Sequence, residues 1–162
     1  MDIRPTFQSQ GIGSIQPVTP VGRVRRFEQD HRPLLDRVSS IRLRKNCFYS
    51  FEASYGADEK NFIDSNIKFT LLELNDDESA QVQLEISPAT DRKHIKIMRE
   101  NPGRTLYETM PQEVTDLDLI PLKKGGCLTI MVKDMVCCVI KNAGKSKDRD
   151  TQEFIIVEYQ DV

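Results

Sequence analysis

Leu117-Asp118-Leu119-Ile120-Pro121-Leu122-Lys123-Lys124-Gly125-Gly126 leads into Cys127-Leu128-Thr129-Ile130, turns at Val132-Lys133-Asp134, and runs on through Met135-Val136-Cys137-Cys138-Val139-Ile140-Lys141-Asn142 to Phe154-Ile155-Ile156-Val157-Glu158-Tyr159. Short runs of β-branched and aromatic residues, each closed by turn residues, are the sequence form of consecutive antiparallel strands. Working back from this stretch, the same two-residue period reaches Ile41. It predicts strands near 41–44, 47–53, 67–74, 81–87, 94–98, 104–108, 117–120, 127–132, 135–141 and 153–160. Asn75-Asp76-Asp77, Ser87-Pro88, Asn101-Pro102-Gly103, Lys124-Gly125-Gly126 and the Asn142–Asp150 segment supply the breaks. No helical stripe is sustained, and links this short cannot carry parallel crossovers. The pattern therefore predicts an all-β antiparallel barrel or sandwich.

The front of the chain is written differently. Residues 1–22 hold Pro5, Gly11, Gly13, Pro17, Pro20 and Gly22 among Gln, Ser and Thr, which forbids helix and offers little to bury. Residues 1–46 carry nine Lys or Arg against four Asp or Glu, leaving fourteen against twenty-one for the remainder. We therefore expect a largely unstructured basic arm over residues 1–40 and one β-barrel domain over residues 41–162, a length that suits a single core. The Arg23–Arg26 cluster offers a weak DNA contact, without the aromatic interleaving of a nucleic-acid motif. No stretch approaches 18 apolar residues and the N-terminus lacks a signal-peptide core, so the expectation is an intracellular protein without a membrane segment.

Catalytic chemistry finds few of its usual residues. A metal centre needs three or four convergent His or carboxylate ligands, and the chain has two histidines, His31 in the arm and His94 beside Lys93. The four cysteines show no Cys-x-x-Cys spacing. Adjacent Cys137 and Cys138 should point to opposite faces of a strand, and all four thiols are read as reduced, small apolar side chains. Lys123-Lys124-Gly125-Gly126 is read as a turn, having too few glycines and no following helix for a phosphate loop. Glu108, Glu113, Asp116 and Asp118 are read as a solvated acidic stretch.

Residues 67–160 resemble a degenerate cupin, and most of all the C-terminal dimerisation domain of the centromere protein C (CENP-C) family. The resemblance rests on Ile67–Leu74, on Ala80–Pro88 followed by Lys93-His94, on Gly103, on Gly126 through Asn142 ending in Ile140-Lys141-Asn142, and on Phe154–Val157. It departs from the cupin pattern where ligands would sit. Gly126 to Asn142 is one residue longer than the second cupin motif; counting back from Asn142, Cys138 takes the His place, Met135 the Gly place and Lys133 the Pro place. Residues Ile63 through Glu100 also resemble the carbon storage regulator, a small RNA-binding β-protein, in Asn66–Leu72 and Met98-Arg99-Glu100.

The cupin resemblance implies a cupin-like barrel or jelly roll and, through its CENP-C branch, a homodimerisation and partner-recruitment module; the missing ligands make the expectation a non-catalytic one with no cofactor. It implies a nuclear, centromere or kinetochore setting and a chromatin assembly factor as protein partner. The alternatives are a metal- or small-ligand-binding cupin enzyme and an RNA-binding β-protein. For an interface or pocket the expected residues are Phe48, Phe51, Phe69, Leu84, Met98, Leu128, Ile130, Met135 and Phe154. Ile41–Arg44 and Phe48–Phe51 suit an edge exchanged between subunits.

Overall fold

The computed structural model describes residues 35–56, 62–148 and 150–160. The basic arm, its Arg23–Arg26 cluster and His31 lie outside the described residues. What is described is all-β, as expected: ten antiparallel strands in two facing sheets that form a flattened barrel. In chain order these are β1 (Leu35–Arg44), β2 (Phe48–Gly56), β3 (Phe62–Leu74), β4 (Ala80–Ser87), β5 (Ile95–Glu100), β6 (Gln112–Glu113), β7 (Ile120–Leu122), β8 (Cys127–Val132), β9 (Met135–Lys145) and β10 (Thr151–Gln160). The larger sheet has the order β1-β10-β9-β8-β5-β6, and the smaller has the order β2-β3-β4-β7.

Each sheet is built around a meander, because each set of turns permits immediate reversal. Lys133 and Asp134 both adopt positive φ, 49° and 70°, the twist of a two-residue hairpin, and so fold β9 straight back onto β8. In β4 the sequence Ala80-Gln81-Val82-Gln83-Leu84-Glu85 alternates strictly, and its burial alternates with it. Inward residues of the two sheets meet in one core that includes Phe69 of β3 and Phe154 of β10. Their rings lie 4.9 Å apart, edge to face, so aromatic carbon occupies the middle of the barrel.

Three expectations change. β1 begins at Leu35, six residues ahead of Ile41, because Leu35 through Arg44 pairs without a break against Gln160 through Thr151. The strand expected at 104–108 is instead a helical turn, α1 (Leu106–Thr109). Thr105 and Glu108 close a capping box there, a local hydrogen-bonded arrangement that competes with strand pairing. Finally, Cys137 does not face away from Cys138: both are buried. Ile130 pairs with Cys138 and Met131 with Val136, leaving Cys137 as the extra residue of a β-bulge that turns both thiols inward. None of the four cysteines is in a disulfide.

Candidate interaction face

The two sheets differ on their outer sides. The outer face of the smaller sheet is polar along its cross-strand rows, Ser50–Lys68–Glu85 and Glu52–Asn66–Ser87, with Phe48 at its margin under the Lys68 ammonium at 4.4 Å. The outer face of the larger sheet carries an apolar row through its middle. Register places Val38 opposite Val157, Val157 opposite Val139, Val139 opposite Thr129, and Thr129 opposite Met98. This row crosses five strands. Val38 is 65% exposed, and the other four are half-buried by their own neighbours. Ile155 and Cys127 lie one row to one side, Met131 and Val136 one row to the other.

The strand sequences explain the difference. Phe154-Ile155-Ile156-Val157 of β10, Val139-Ile140 of β9 and Leu128-Thr129-Ile130-Met131 of β8 are apolar or weakly polar at both parities. Strict alternation, as in β4, is the pattern of an antiparallel sheet with one face in water. Charged residues edge the apolar row with both signs. Arg42, Lys96 and Lys141 stand among the outward positions, and so do Glu100, Glu113 and Glu153.

The residues expected at an interface are divided by the structure. Phe51, Phe69, Leu84, Leu128, Ile130 and Phe154 are core, because each falls at an inward parity of its strand. Phe48 is 46% exposed on the smaller sheet, and Met135 is exposed at the β8–β9 hairpin. Only Met98 belongs to the apolar row. Sequence reasoning passed over Val38, Val139, Ile155 and Val157 because size singled out the aromatic residues. The signal lay in two consecutive apolar residues within strands whose partners alternate.

Two buried polar groupings close the barrel ends. At one end Tyr49 of β2 donates its hydroxyl to Glu158 Oε2 of β10 at 3.2 Å, and Arg37 and Cys138 flank Glu158 across the strands. Burial, and then the Glu158 carboxylate, push the Tyr49 phenol above its ordinary range. At the other end Asn142 donates to the carbonyls of Glu78 and Leu122 at 3.1 and 3.0 Å, and its Oδ1 accepts from Gly144 N at 2.9 Å. Gln152 Nε2 donates to the Glu78 carbonyl at 2.8 Å and to Asn142 Oδ1. Asn142, the residue that ends the second cupin-like segment, thereby ties β9 to the β3–β4 turn and to β7. Cys138, in the His place of that segment, is fully buried in the core. Among the described residues no group of three or more His, Cys, Asp or Glu is arranged to hold a metal. No described helix is long and apolar enough to cross a membrane.

Compared with protein-family models, with curated proteins and with solved structures, the chain finds no match in any of the three.

Proposed function

We propose that this domain is a non-catalytic association module that forms a homodimer by stacking the outer face of its larger sheet against the same face of a second copy. The observation that carries this reading is the apolar row Val38–Val157–Val139–Thr129–Met98 on a sheet whose central strands β8, β9 and β10 are apolar at both parities. Such a patch, rimmed by polar residues, supports an association face. Four interstrand spacings make it roughly 19 Å wide, and with its two flanking rows roughly 14 Å tall. That covers less than the ~800 Å² per partner of a stable interface, so the charged margin has to join it. Three cations and three anions at that margin suit a second copy, because a two-fold axis makes every cation–anion contact across the interface occur twice. An apolar centre with a polar rim is the usual anatomy of such contacts.

The aromatic packing of Phe69 against Phe154 supports a structural barrel over a small-ligand cupin, since it fills the volume such a ligand would use. The centromeric or kinetochore setting, and a chromatin assembly factor as partner, rest on the resemblance of residues 67–160 to the CENP-C dimerisation domain.

Light scattering of the full chain across a dilution series tests the dimer, alongside the double substitution Val139→Lys, Val157→Lys. We expect a two-subunit mass for the parent chain and a one-subunit mass for the variant, with unchanged far-UV circular dichroism. A parent chain that is monomeric throughout, or a variant that still dimerises, overturns the reading.

A further inference from the structure

A second surface lies away from the apolar row, where the segment between β5 and β6 meets the turn between β7 and β8. Together they line a shallow, open groove of about 820 Å³. Its walls are held rather than loosely draped. Asn101 Oδ1 accepts the Lys123 backbone N–H at 3.0 Å, fixing one wall to the other. Glu108 Oε1 accepts from the backbone N–H groups of Arg104 and Thr105 at 2.6 and 3.4 Å, while the Glu108 N–H donates to Thr105 Oγ1 at 3.1 Å. Gly103 lies so close to this turn that an added Cβ would collide with Cβ of Glu108.

This locked turn displays large apolar side chains to water. Leu106 is 83% and Tyr107 79% exposed, with Met110 next to them and more than half exposed. Of these Tyr107 lines the groove, and Tyr is among the side chains that anchor protein contacts, with Met enriched at interfaces. The polar lining is unequal in sign. Arg104 and Lys123 face the groove; neither is in a salt bridge among the described residues, and the Asp77 carboxyl, held below its usual range chiefly by hydrogen bonds from Ser79, also feels the Lys123 charge. Glu108, the one carboxylate in the lining, is already committed to two backbone donors.

We propose that this groove binds a short acidic peptide segment of a partner protein, with the peptide's carboxylates on Arg104 and Lys123 and its apolar side chains on Tyr107, Leu106 and Met110. The charge of the groove favours that occupant over a basic or neutral segment. The site deepens the partner-recruitment part of the reading above, but it does not depend on the dimer face.

Selection of a random-sequence peptide display library on the full chain tests it, with parallel selections on Arg104→Glu/Lys123→Glu, on Tyr107→Ala, and on Val139→Lys/Val157→Lys. We expect the parent chain to enrich peptides of net negative charge that carry aromatic or large aliphatic residues, binding more weakly as salt rises. The charge-reversed variant should lose at least tenfold in affinity for those peptides, and Tyr107→Ala several-fold. The dimer-face variant should retain them, which separates failure of this site from failure of the dimer. Absence of enrichment, enrichment without charge bias, or equal binding by the parent and Arg104→Glu/Lys123→Glu would overturn the proposal. Protection of Tyr107 by self-association alone would also overturn it, reassigning the groove to a second copy.

Discussion

Gln152 Nε2 stands 2.7 Å from Asn142 Oδ1, both side chains sealed from solvent where β10 passes β9. Asn142 uses its amide group in both directions here, donating to two carbonyls from the opposite sheet and accepting from Gly144 and Gln152. A buried side chain with this many partners specifies how two sheets meet, because no apolar residue of similar size satisfies the same groups.

Asn142→Ala should therefore be among the most damaging single changes in the domain. It removes the side-chain partner of the Leu122 carbonyl, of the Gly144 N–H and of one Gln152 donor, at a cost of about 1 kcal/mol or more for each of these three groups. Gly144→Ala should also destabilise, since Gly144 sits at φ 98° and an added Cβ would come within 2.5 Å of Glu78 Oε1. Urea unfolding followed by circular dichroism measures both. A midpoint within error of the parent for Asn142→Ala would refute this account of the barrel end.

Stability should depend on pH through Glu78. Its carboxylate accepts the Lys145 backbone N–H at 2.9 Å and the Lys124 ammonium at 3.3 Å, and these contacts, the first above all, hold its pKa below the ordinary carboxylate value. A lowered folded-state pKa stabilises the fold above the unfolded value and ceases to do so as pH falls through the folded one. The melting temperature of the parent should exceed that of Glu78→Gln at pH 7, and the gap should shrink on acidification below about pH 4. A gap that stays constant from pH 7 to pH 3 would contradict the assignment.

Inward and outward substitutions on one strand should differ sharply. Phe154→Ala empties the centre of the barrel and should cost about 3–5 kcal/mol. Val157→Lys, three residues along on the outer face and half-buried, should cost the monomer about 1 kcal/mol. Comparable losses for the two would mean that the two faces of β10 are not distinguished as inward and outward.

Thiol reactivity provides an independent view of the outer face. Cys127 lies on it, and burial raises its pKa, slowing alkylation at neutral pH. Cys137 and Cys138 belong to the core and should react more slowly still. If the face is covered by a second copy, labelling of Cys127 by iodoacetamide should slow further as protein concentration rises, and should stop doing so in Val139→Lys/Val157→Lys. Peptide mass mapping at several concentrations reads this directly; concentration-independent labelling in the parent chain would count against the stacked dimer.

Much of the architecture was legible in the sequence because strand period and turn chemistry are local. The β8–β9 hairpin could be placed from Lys133-Asp134, and β4 from its strict alternation. What could not be read required information from elsewhere in the chain. The bulge at Cys137 arises from the register between β8 and β9, and nothing in Met135–Ile140 marks which residue goes unpaired. The turn at 105–109 did carry a local sign, Thr105-x-x-Glu108, but β-formers around it outweighed that sign. The site was less legible than the fold. Aromatic residues suggest an interface by their size, yet Phe51, Phe69 and Phe154 lie at inward parities, and the exposed row is made of valines that look ordinary until register aligns them.

The pairing of Leu35 with Gln160 brings the first and last described strands side by side at one edge of the larger sheet. Zipping that edge requires closure of a loop more than a hundred residues long, so β1 and β10 should join late in folding, after the two meanders have formed. The same adjacency makes the domain a natural circle. A short linker from the end of β10 to the start of β1, with the chain opened at Lys133-Asp134, would keep every strand neighbour except the hairpin link and turn the slowest pairing into a local one.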